Sequence, residues 1–303
     1  MTTAHRTPAS PLTTGSSSRP TELAGFLRTR RARLTPECVG LPRTPGRRLA
    51  GLRRAEVAAL AGISPEYYTR LEQGRQRHPS PEVLDALATA LRLDADGRGH
   101  LHRITARPAP AAPPAPPEAP RAALDLLRAL TVWPAYLVSP MRSVLAWNDA
   151  AAWLLTDFGA LPPHRRNLAW FALCDPRARE LYADWEAVAR GNVHRLRSAL
   201  AGRTGEEPLL AELAAHGGEL FTDAWNEHEV RGPNTGHKRL NHPVAGPLTL
   251  AYTGYLLPGP ERLELVVMTA PEDSPEHAVL HRHFGSSTPS PAGRCSPPSA
   301  TRP

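Results

Sequence analysis

Cysteine is scarce: Cys38, Cys174 and Cys295 lie far apart in 303 residues and form no C-x-x-C pair, which leaves neither a disulfide framework nor a zinc ribbon to expect. No uninterrupted apolar run approaches the ~18 residues of a membrane span. The first twenty residues, rich in Ser, Thr and Pro, lack the apolar core of a signal peptide. The expectation is a soluble, cytoplasmic protein with no membrane partner. No G-x-S-x-G elbow, P-loop or dinucleotide fingerprint occurs, so nucleophilic and phosphoryl-transfer catalysis have no support and no cofactor is expected. Lysine is missing altogether from residues 1–107, where 18 arginines stand against 9 acidic residues, a net +9; the rest of the chain, with 18 basic and 20 acidic residues, carries −2. A genomic preference for Arg, Ala and Pro would act on both halves, so it does not explain the asymmetry. Arginine concentrated in one half suits bidentate contacts to phosphate and guanine, and its field draws that half toward a polyanion.

That half contains Leu52 to Gln73, LRRAEVAALAGISPEYYTRLEQ, around which the chain is organised. It reads as two short helices joined by a turn at Gly62 and Ile63. Ser64 supplies an acceptor for a free N–H of the second helix, Pro65 sits where its missing N–H is not needed, and Glu66 complements the positive helix end. Val57 and Leu60 in the first helix, and Tyr68 and Leu71 in the second, are spaced to face one another. Glu66, Tyr67, Thr69, Arg70 and Gln73 are then left pointing outward, as in the recognition helix of a helix-turn-helix.

The runs Arg54-Ala55-Glu56-Val57-Ala58, Ala61-Gly62-Ile63-Ser64 and Tyr67 to Gly74 resemble the phage-repressor or Xre type of helix-turn-helix. Together with Gly51 to Arg54, His78-Pro79-Ser80-Pro81 and the chain to about residue 284, they resemble the MmyB-like bacterial transcription regulators. The resemblance implies a DNA-binding transcription regulator, not an enzyme, with a PAS-like C-terminal domain that accepts a fatty-acid-like or other small apolar ligand. By the repressor-type correspondence, Pro65, Glu66, Thr69 and Arg70 face base edges of double-stranded DNA, while Arg54, Ser64, Gln73 and Arg75 hold phosphates. Pro65 departs from the glutamine or arginine common there, which leaves shape or methyl contact at that position. The correspondence also pairs a helix 1 arginine, here Arg31, with Glu72. Two half-sites one DNA turn apart make a homodimer the expected state.

In chain order, 1–20 reads as a disordered arm and 21–106 as an all-α helix-turn-helix domain. Its first helix runs from Thr21 to Leu34, buries Leu23, Phe26, Leu27 and Leu34, and turns Arg28, Arg30, Arg31 and Arg33 outward. The link 35–51, with Pro42, Pro45, Gly46, Arg43, Arg47 and Arg48, either touches the DNA backbone or is a solvated loop. Gly74 ends the recognition helix; Ser80-Pro81-Glu82 opens a helix carrying Val83, Leu84, Leu87 and Leu91; Asp94 opens a fifth, through Ile104. Residues 107–120, RPAPAAPPAPPEAP, form a proline-rich linker that cannot join a packed core.

From 121 to 284 the pattern is α+β: a helix over 122–130, strands at 135–138 and 143–147, a helix after Asn148-Asp149, helices at 176–200, 206–215 and 219–228, then strands at 238–241, 248–256 and 263–269. That order is compatible with a PAS-like domain, and 285–303 reads as a disordered tail. Aromatic residues crowd the expected core: Trp133, Tyr136, Trp147, Trp153, Trp170, Phe171, Trp185, Trp225, Tyr252 and Tyr255. They read as ordinary packing or as the wall of an apolar pocket. Tyr136, Trp147, Trp153, Trp170 and Tyr252 are the candidate lining, and Asn148, Arg239, Arg166 and Asn167 candidate holders of a polar head group, unless they cap helices or pair with acids. His228, His237 and His242 with Glu227 and Glu229 match no H-x-x-x-H spacing, and no metal is expected. His281-Arg282-His283 reads as a solvated helix end. Two readings of another class stay open: a small-molecule-modifying enzyme with an autoregulatory DNA-binding module, and a helix-turn-helix that binds protein.

Overall fold

The computed structural model describes residues 19–42, 47, 49–76, 78–106, 118–200, 208–229, 235–259 and 261–285. The expected arm, most of the proline-rich linker and the C-terminal tail therefore lie outside the described residues. The chain divides into two compact units, Met1–Arg107 with Gly202–Ala215, and Pro108–Ala201 with His216–Pro303.

The first unit is built on five helices: α1 Arg19–Arg33, α2 Arg54–Leu60, α3 Pro65–Glu72, α4 Pro81–Ala90 and α5 Ala95–Thr105. Three of them start where the sequence supplies an oxygen for a free helical N–H. Ser64 accepts from Tyr67 N at 3.1 Å, Ser80 from Val83 N at 3.5 Å, and Asp94 from Gly97 N at 2.8 Å. Gly62 makes the turn between α2 and α3 at φ 65, a left-handed conformation that favours glycine. Leu23, Phe26, Leu27, Leu52, Val57, Tyr68, Leu71, Leu87, Leu101 and Ile104 form the core. Two expectations change. Helix α1 begins at Arg19, ahead of Thr21. Leu60 is 38% exposed, and α2 instead buries Val57, Ala58 and Ala61, whose i, i+1, i+4 spacing defines a different edge of so short a helix.

The second unit contains α6 Arg121–Ala129, β1 Ala135–Val138, β2 Val144–Trp147, α7 Asp149–Leu154, α8 Leu168–Cys174, α9 Pro176–Leu181, α10 Trp185–Leu200, β3 Thr235–His242, β4 Gly246–Leu256, β5 Glu264–Thr269, α12 Pro275–Phe284 and, from residue 216 on, α11 Pro208–Asn226, whose residues 208–215 belong to the first unit. The five strands form one antiparallel sheet in the order β2-β1-β5-β4-β3, with the helices α7 to α11 inserted between β2 and β3. This is the two-strand, helical insert, three-strand order expected of a PAS-like α+β domain.

Both faces of the sheet are covered, because β residues alternate sides. Ala135, Leu137, Ala146, Leu263 and Leu265 pack with Ala123 and Leu127 of α6. Tyr136, Val138, Trp147, Leu240, Leu248, Leu250, Val266 and Met268 pack on the opposite, inner face with Leu154, Phe171, Leu181, Leu280 and Phe284 from α7, α8, α9 and α12. The helix expected over 176–200 is two helices, α9 and α10, because Tyr182 adopts an extended conformation and bridges to Leu240 of β3. The two helices expected over 206–215 and 219–228 are present as the two parts of α11, separated by a kink at Gly218, whose φ of 56 and ψ of −144 are not helical. No described helix is long and apolar enough to cross a membrane.

Candidate functional site

Helix α3 owes its placement to its inward side. Tyr68 and Leu71 are fully buried, and the buried Glu72 carboxylate accepts from Arg31 Nε at 2.6 Å and from Arg54 Nε at 2.7 Å. Arg31 also donates to the Leu52 carbonyl at 2.8 Å. Burial alone would raise the Glu72 pKa; the hydrogen bonds from Arg31 and Arg54 outweigh it and hold the carboxyl below its ordinary value. The expected Arg31–Glu72 pair is thus present, so Arg31 turns inward rather than lying with Arg28 and Arg33 on the outer side.

The opposite side of α3 is open. Glu66, Arg70 and Gln73 are exposed, Tyr67 and Thr69 are half-buried, and the Arg70 guanidinium lies 5.8 Å from the centre of the Tyr67 ring. Pro65 and Ser64 are exposed at the helix start and Arg75 is exposed just past its end, where Gly74 turns the chain at φ 70. Arg54 is half-exposed, with its Nε committed to Glu72. In the basic link, Arg47 is committed too, donating to both Glu56 oxygens at 2.6 and 2.7 Å and to the Gly51 carbonyl at 2.6 Å. Arg47 and the Arg53 N–H together bring the Glu56 pKa down to about 2. Arg43, Pro45, Gly46 and Arg48 lie outside the described residues.

Tyr136, Trp147, Trp153 and Tyr252 belong to the core on the inner face of the sheet. Tyr136 is buried on β1, and burial pushes its phenol up to about 12. Tyr252 of β4 is half-buried, with its ring over the Cα of Gly236 on the neighbouring strand, where a Cβ would meet ring atoms at 3.0 Å. Trp147 packs edge-on to Phe158 with ring centres 5.6 Å apart. Trp153 of α7 stacks between His242 at 3.9 Å and His283 at 4.7 Å. Trp170 is buried in α8 with Arg165 at 5.0 Å from its ring.

Two family models match, and between them they cover most of the chain. The model described as the MmyB-like transcription regulator ligand binding domain matches residues 119–282, and a helix-turn-helix domain model matches residues 22–101. The chain belongs to the MmyB-like transcription regulators. No curated protein matches it. The helix-turn-helix and the ligand-binding domain make this MmyB-like chain a DNA-binding transcription regulator.

Within that MmyB-like domain, several head-group candidates are already occupied. Asn148 caps α7: its Oδ1 accepts from Ala151 N at 2.9 Å and Ala135 N at 3.0 Å, while its Nδ2 donates to the Leu130 and Trp133 carbonyls. Those four bonds use the whole capacity of the amide. Asn167 likewise caps α8 and donates to the Met141 carbonyl at 2.8 Å, and Arg166 ties down the carbonyls of Leu161 and Gly159. Arg239 is exposed and paired with Asp184, because strand alternation turns residue 239 to solvent and residue 238 inward. Tyr255 is 55% exposed for the same reason.

Lys238, which is not among the site residues expected from the sequence, is an inward cation of β3. Its side chain lies 4.9 Å from the Tyr252 ring centre and 5.5 Å from that of Tyr182. The buried Arg142 and Glu264 form an ion pair at 3.1 Å nearby, joined by Arg195 at 3.7 Å from the same carboxylate oxygen. The signal that could have found Lys238 is its inward parity with Leu240 and His242 along β3.

The histidine-rich stretch resolves differently from its spacing. His242 is buried; its Nδ1 accepts from the N–H groups of Val244 and Ala245 at 3.2 and 3.1 Å, which leaves Nε2–H to donate to the Trp153 carbonyl at 2.9 Å. Glu227 and Glu229 meet His194 of α10, with donor atoms within 4.8 Å of one another, and Glu227 is also paired with Arg190 at 2.7 Å. His283 and His281 are not merely solvated: they contact Trp153 and Trp133.

Proposed function

We propose that the protein is a one-component, sequence-specific regulator whose N-terminal unit reads double-stranded DNA through α3 and whose C-terminal unit binds a small apolar or fatty-acid-like ligand. The observation that carries the DNA half is the division of α3 into a locked inner side and an open outer side, in the arginine-rich part of the chain. Pro65, Glu66, Thr69 and Arg70 meet base edges in the major groove. Arg70 is long enough for a bidentate contact to guanine, which is worth about 1–3 kcal/mol of discrimination. Arg54, Ser64, Gln73 and Arg75 hold phosphates and set the register. Ser64 spends its acceptor on the Tyr67 N–H and keeps its hydroxyl proton for a phosphate; Arg54 keeps its outer nitrogens.

The ligand half rests on the aromatic inner face of a sheet whose helices could cover a small molecule, with Tyr136, Trp147, Trp153, Trp170 and Tyr252 as its apolar surroundings. One recognition helix spans few base pairs, so two copies of the chain bind two half-sites about 34–36 Å apart. Ligand acts by favouring one arrangement of the two readers, which it does only by binding that arrangement better. The location is cytoplasmic, where the DNA is.

An electrophoretic shift assay with selected operator and scrambled duplexes tests the reading. Arg70→Ala should lose the preference for the operator while retaining salt-sensitive binding to any duplex. Intact preference in Arg70→Ala would show that base reading lies elsewhere.

A further inference from the structure

The inner face of the sheet brings the cation Lys238 within reach of the charges of Arg142 and Arg195. Lys238 is the single lysine among the 36 basic residues of the chain. Its Cα pairs with Leu250 of β4, and its side chain shares the helix-covered face with Leu240, Leu250 and Tyr252. Among the described residues, Lys238 makes no hydrogen bond or ion pair; its neighbours are the rings of Tyr182 and Tyr252. Arg142 and Arg195 lie near enough for their charge to act on it. The carboxylate in this group, Glu264, is engaged by both arginines at 3.1 and 3.7 Å. That carboxylate is thus taken by the arginines and forms no ion pair with Lys238.

The phenols tell the same story. Tyr136 and Tyr182 are 2% and 5% exposed, and among the described residues neither hydroxyl makes a hydrogen bond, though neither oxygen is fully occluded. Donors with access to space but no protein partner are available to a bound acceptor. An apolar ligand would leave every one of these donors unanswered, whereas an anion would answer an ammonium and adjacent O–H groups together.

We propose that Lys238, flanked by Tyr182 and Tyr252 and backed by Arg142 and Arg195, is the binding site for the anionic group of the ligand, a carboxylate or a phosphate-type oxyanion. This rests on the reading of the C-terminal unit as a small-molecule sensor and adds the residues that meet a charged head group. A lysine suits the place because its compact, rotatable ammonium can follow an oxyanion at close quarters, where a guanidinium would demand a fixed fork. Burial, with Arg195 and Arg142 adding to it, lowers the Lys238 pKa to about 8, and an anion beside the ammonium would favour its charged form. The charged and titratable groups around it are Arg142, Arg195, Glu264, Tyr136, Tyr182 and Tyr252, from the turn before β2, α10, β5, β1, the segment after α9 and β4.

The test compares decanoate, decyl phosphate and decanol by calorimetric titration of the full chain. At least one of the two anions should bind roughly tenfold or more tightly than the alcohol, and that preference should fall as the pH is raised through about 8. Lys238→Met should bring the anions to the affinity of decanol and leave decanol unchanged. A second readout uses the native chain alone: acylation of Lys238 by acetic anhydride, followed by peptide mass spectrometry, should be slowed by the anions and not by decanol. Equal binding of acids and alcohol, or a preference that survives Lys238→Met, overturns the proposal. If Lys238→Met does not fold, protection of the native lysine decides. If no chain-bearing molecule binds but inorganic phosphate protects Lys238, the apolar-ligand reading falls and the anion site stands; if phosphate does not protect either, both fall.

Discussion

Arg31 holds Glu72 by two hydrogen bonds, Nε to Oε1 at 2.6 Å and Nη2 to Oε2 at 3.3 Å, and Arg54 takes the same Oε2 at 2.7 Å. One buried carboxylate thereby joins the first three helices of the DNA-binding unit. Its two partners are unequal: the Arg31 side chain is 13% exposed and that of Arg54 49%.

Removing the inner partner should therefore matter more. Arg31→Ala leaves a buried carboxylate with one half-solvated arginine and should destabilise the unit by about 3 kcal/mol, at the low end for a broken buried pair. Arg54→Ala should cost under about 1 kcal/mol. Urea unfolding of the full chain, followed by amide exchange of α3, measures both. Equal losses would mean that the carboxylate does not distinguish its partners.

The same pair sets an acid limit. Glu56 and Glu72 both have pKa values lowered by folding, Glu56 to about 2. Their contribution is complete above the unfolded-state value, ordinarily 4.5, and is lost as pH falls from there through the folded values. Melting temperature should fall along that window. The fall should be shallower in Glu72→Gln, which starts from a lower melting temperature at neutral pH; an unchanged slope would contradict the assignment.

Arg75, exposed just past α3, is proposed to contact phosphate and not bases. Arg75→Ala should weaken binding to operator and scrambled duplex by the same factor and reduce the slope of log K against log salt by about 1. A change confined to the operator would move Arg75 into the base-reading set.

Asn148 spends both faces of its amide on the backbone around β1 and α7. Asn148→Ala should destabilise the ligand-binding unit by about 2 kcal/mol or more, from the lost cap and the groups left unpaired. Thermal unfolding with and without decanoate separates stability from affinity, and affinity at a temperature where the variant is folded should be unchanged.

Gly254 leaves the room that Glu264 occupies, since a Cβ there would overlap the Glu264 carboxylate. Gly254→Ala should cost about 1–3 kcal/mol through displacement of that buried side chain and its Arg142 partner. Adding Glu264→Ala should cost less than the sum of the two changes; strict additivity would show that the clash is relieved elsewhere.

Much of the fold is legible because its punctuation is local. Ser64-Pro65, Ser80-Pro81, Asp94 and Asn148 announce helix starts, and each is found accepting the expected backbone N–H. Leu60 misleads because a seven-residue helix has too few apolar positions to define its face without its neighbours. Tyr182 breaks an apparently continuous helix for a reason that is not local: it bridges to Leu240, some sixty residues on. The interior site fails by one residue of parity. Arg239 and Lys238 are equally basic in sequence, and only the register of β3 on β4 turns one to Asp184 and solvent and the other toward Tyr182 and Tyr252. Asn148 had both roles open to it, and the cap won because three backbone groups from outside α7 converge on the same amide.

The doubly engaged Glu72 gives the reader a reserve. A duplex that draws the guanidinium of Arg54 onto its backbone takes nothing irreplaceable, since Arg31 stays behind to keep the acid neutralised. Were Arg54 to meet a phosphate as proposed, whether by its outer nitrogens or by leaving Glu72, the scaffold that aims α3 would keep its shape.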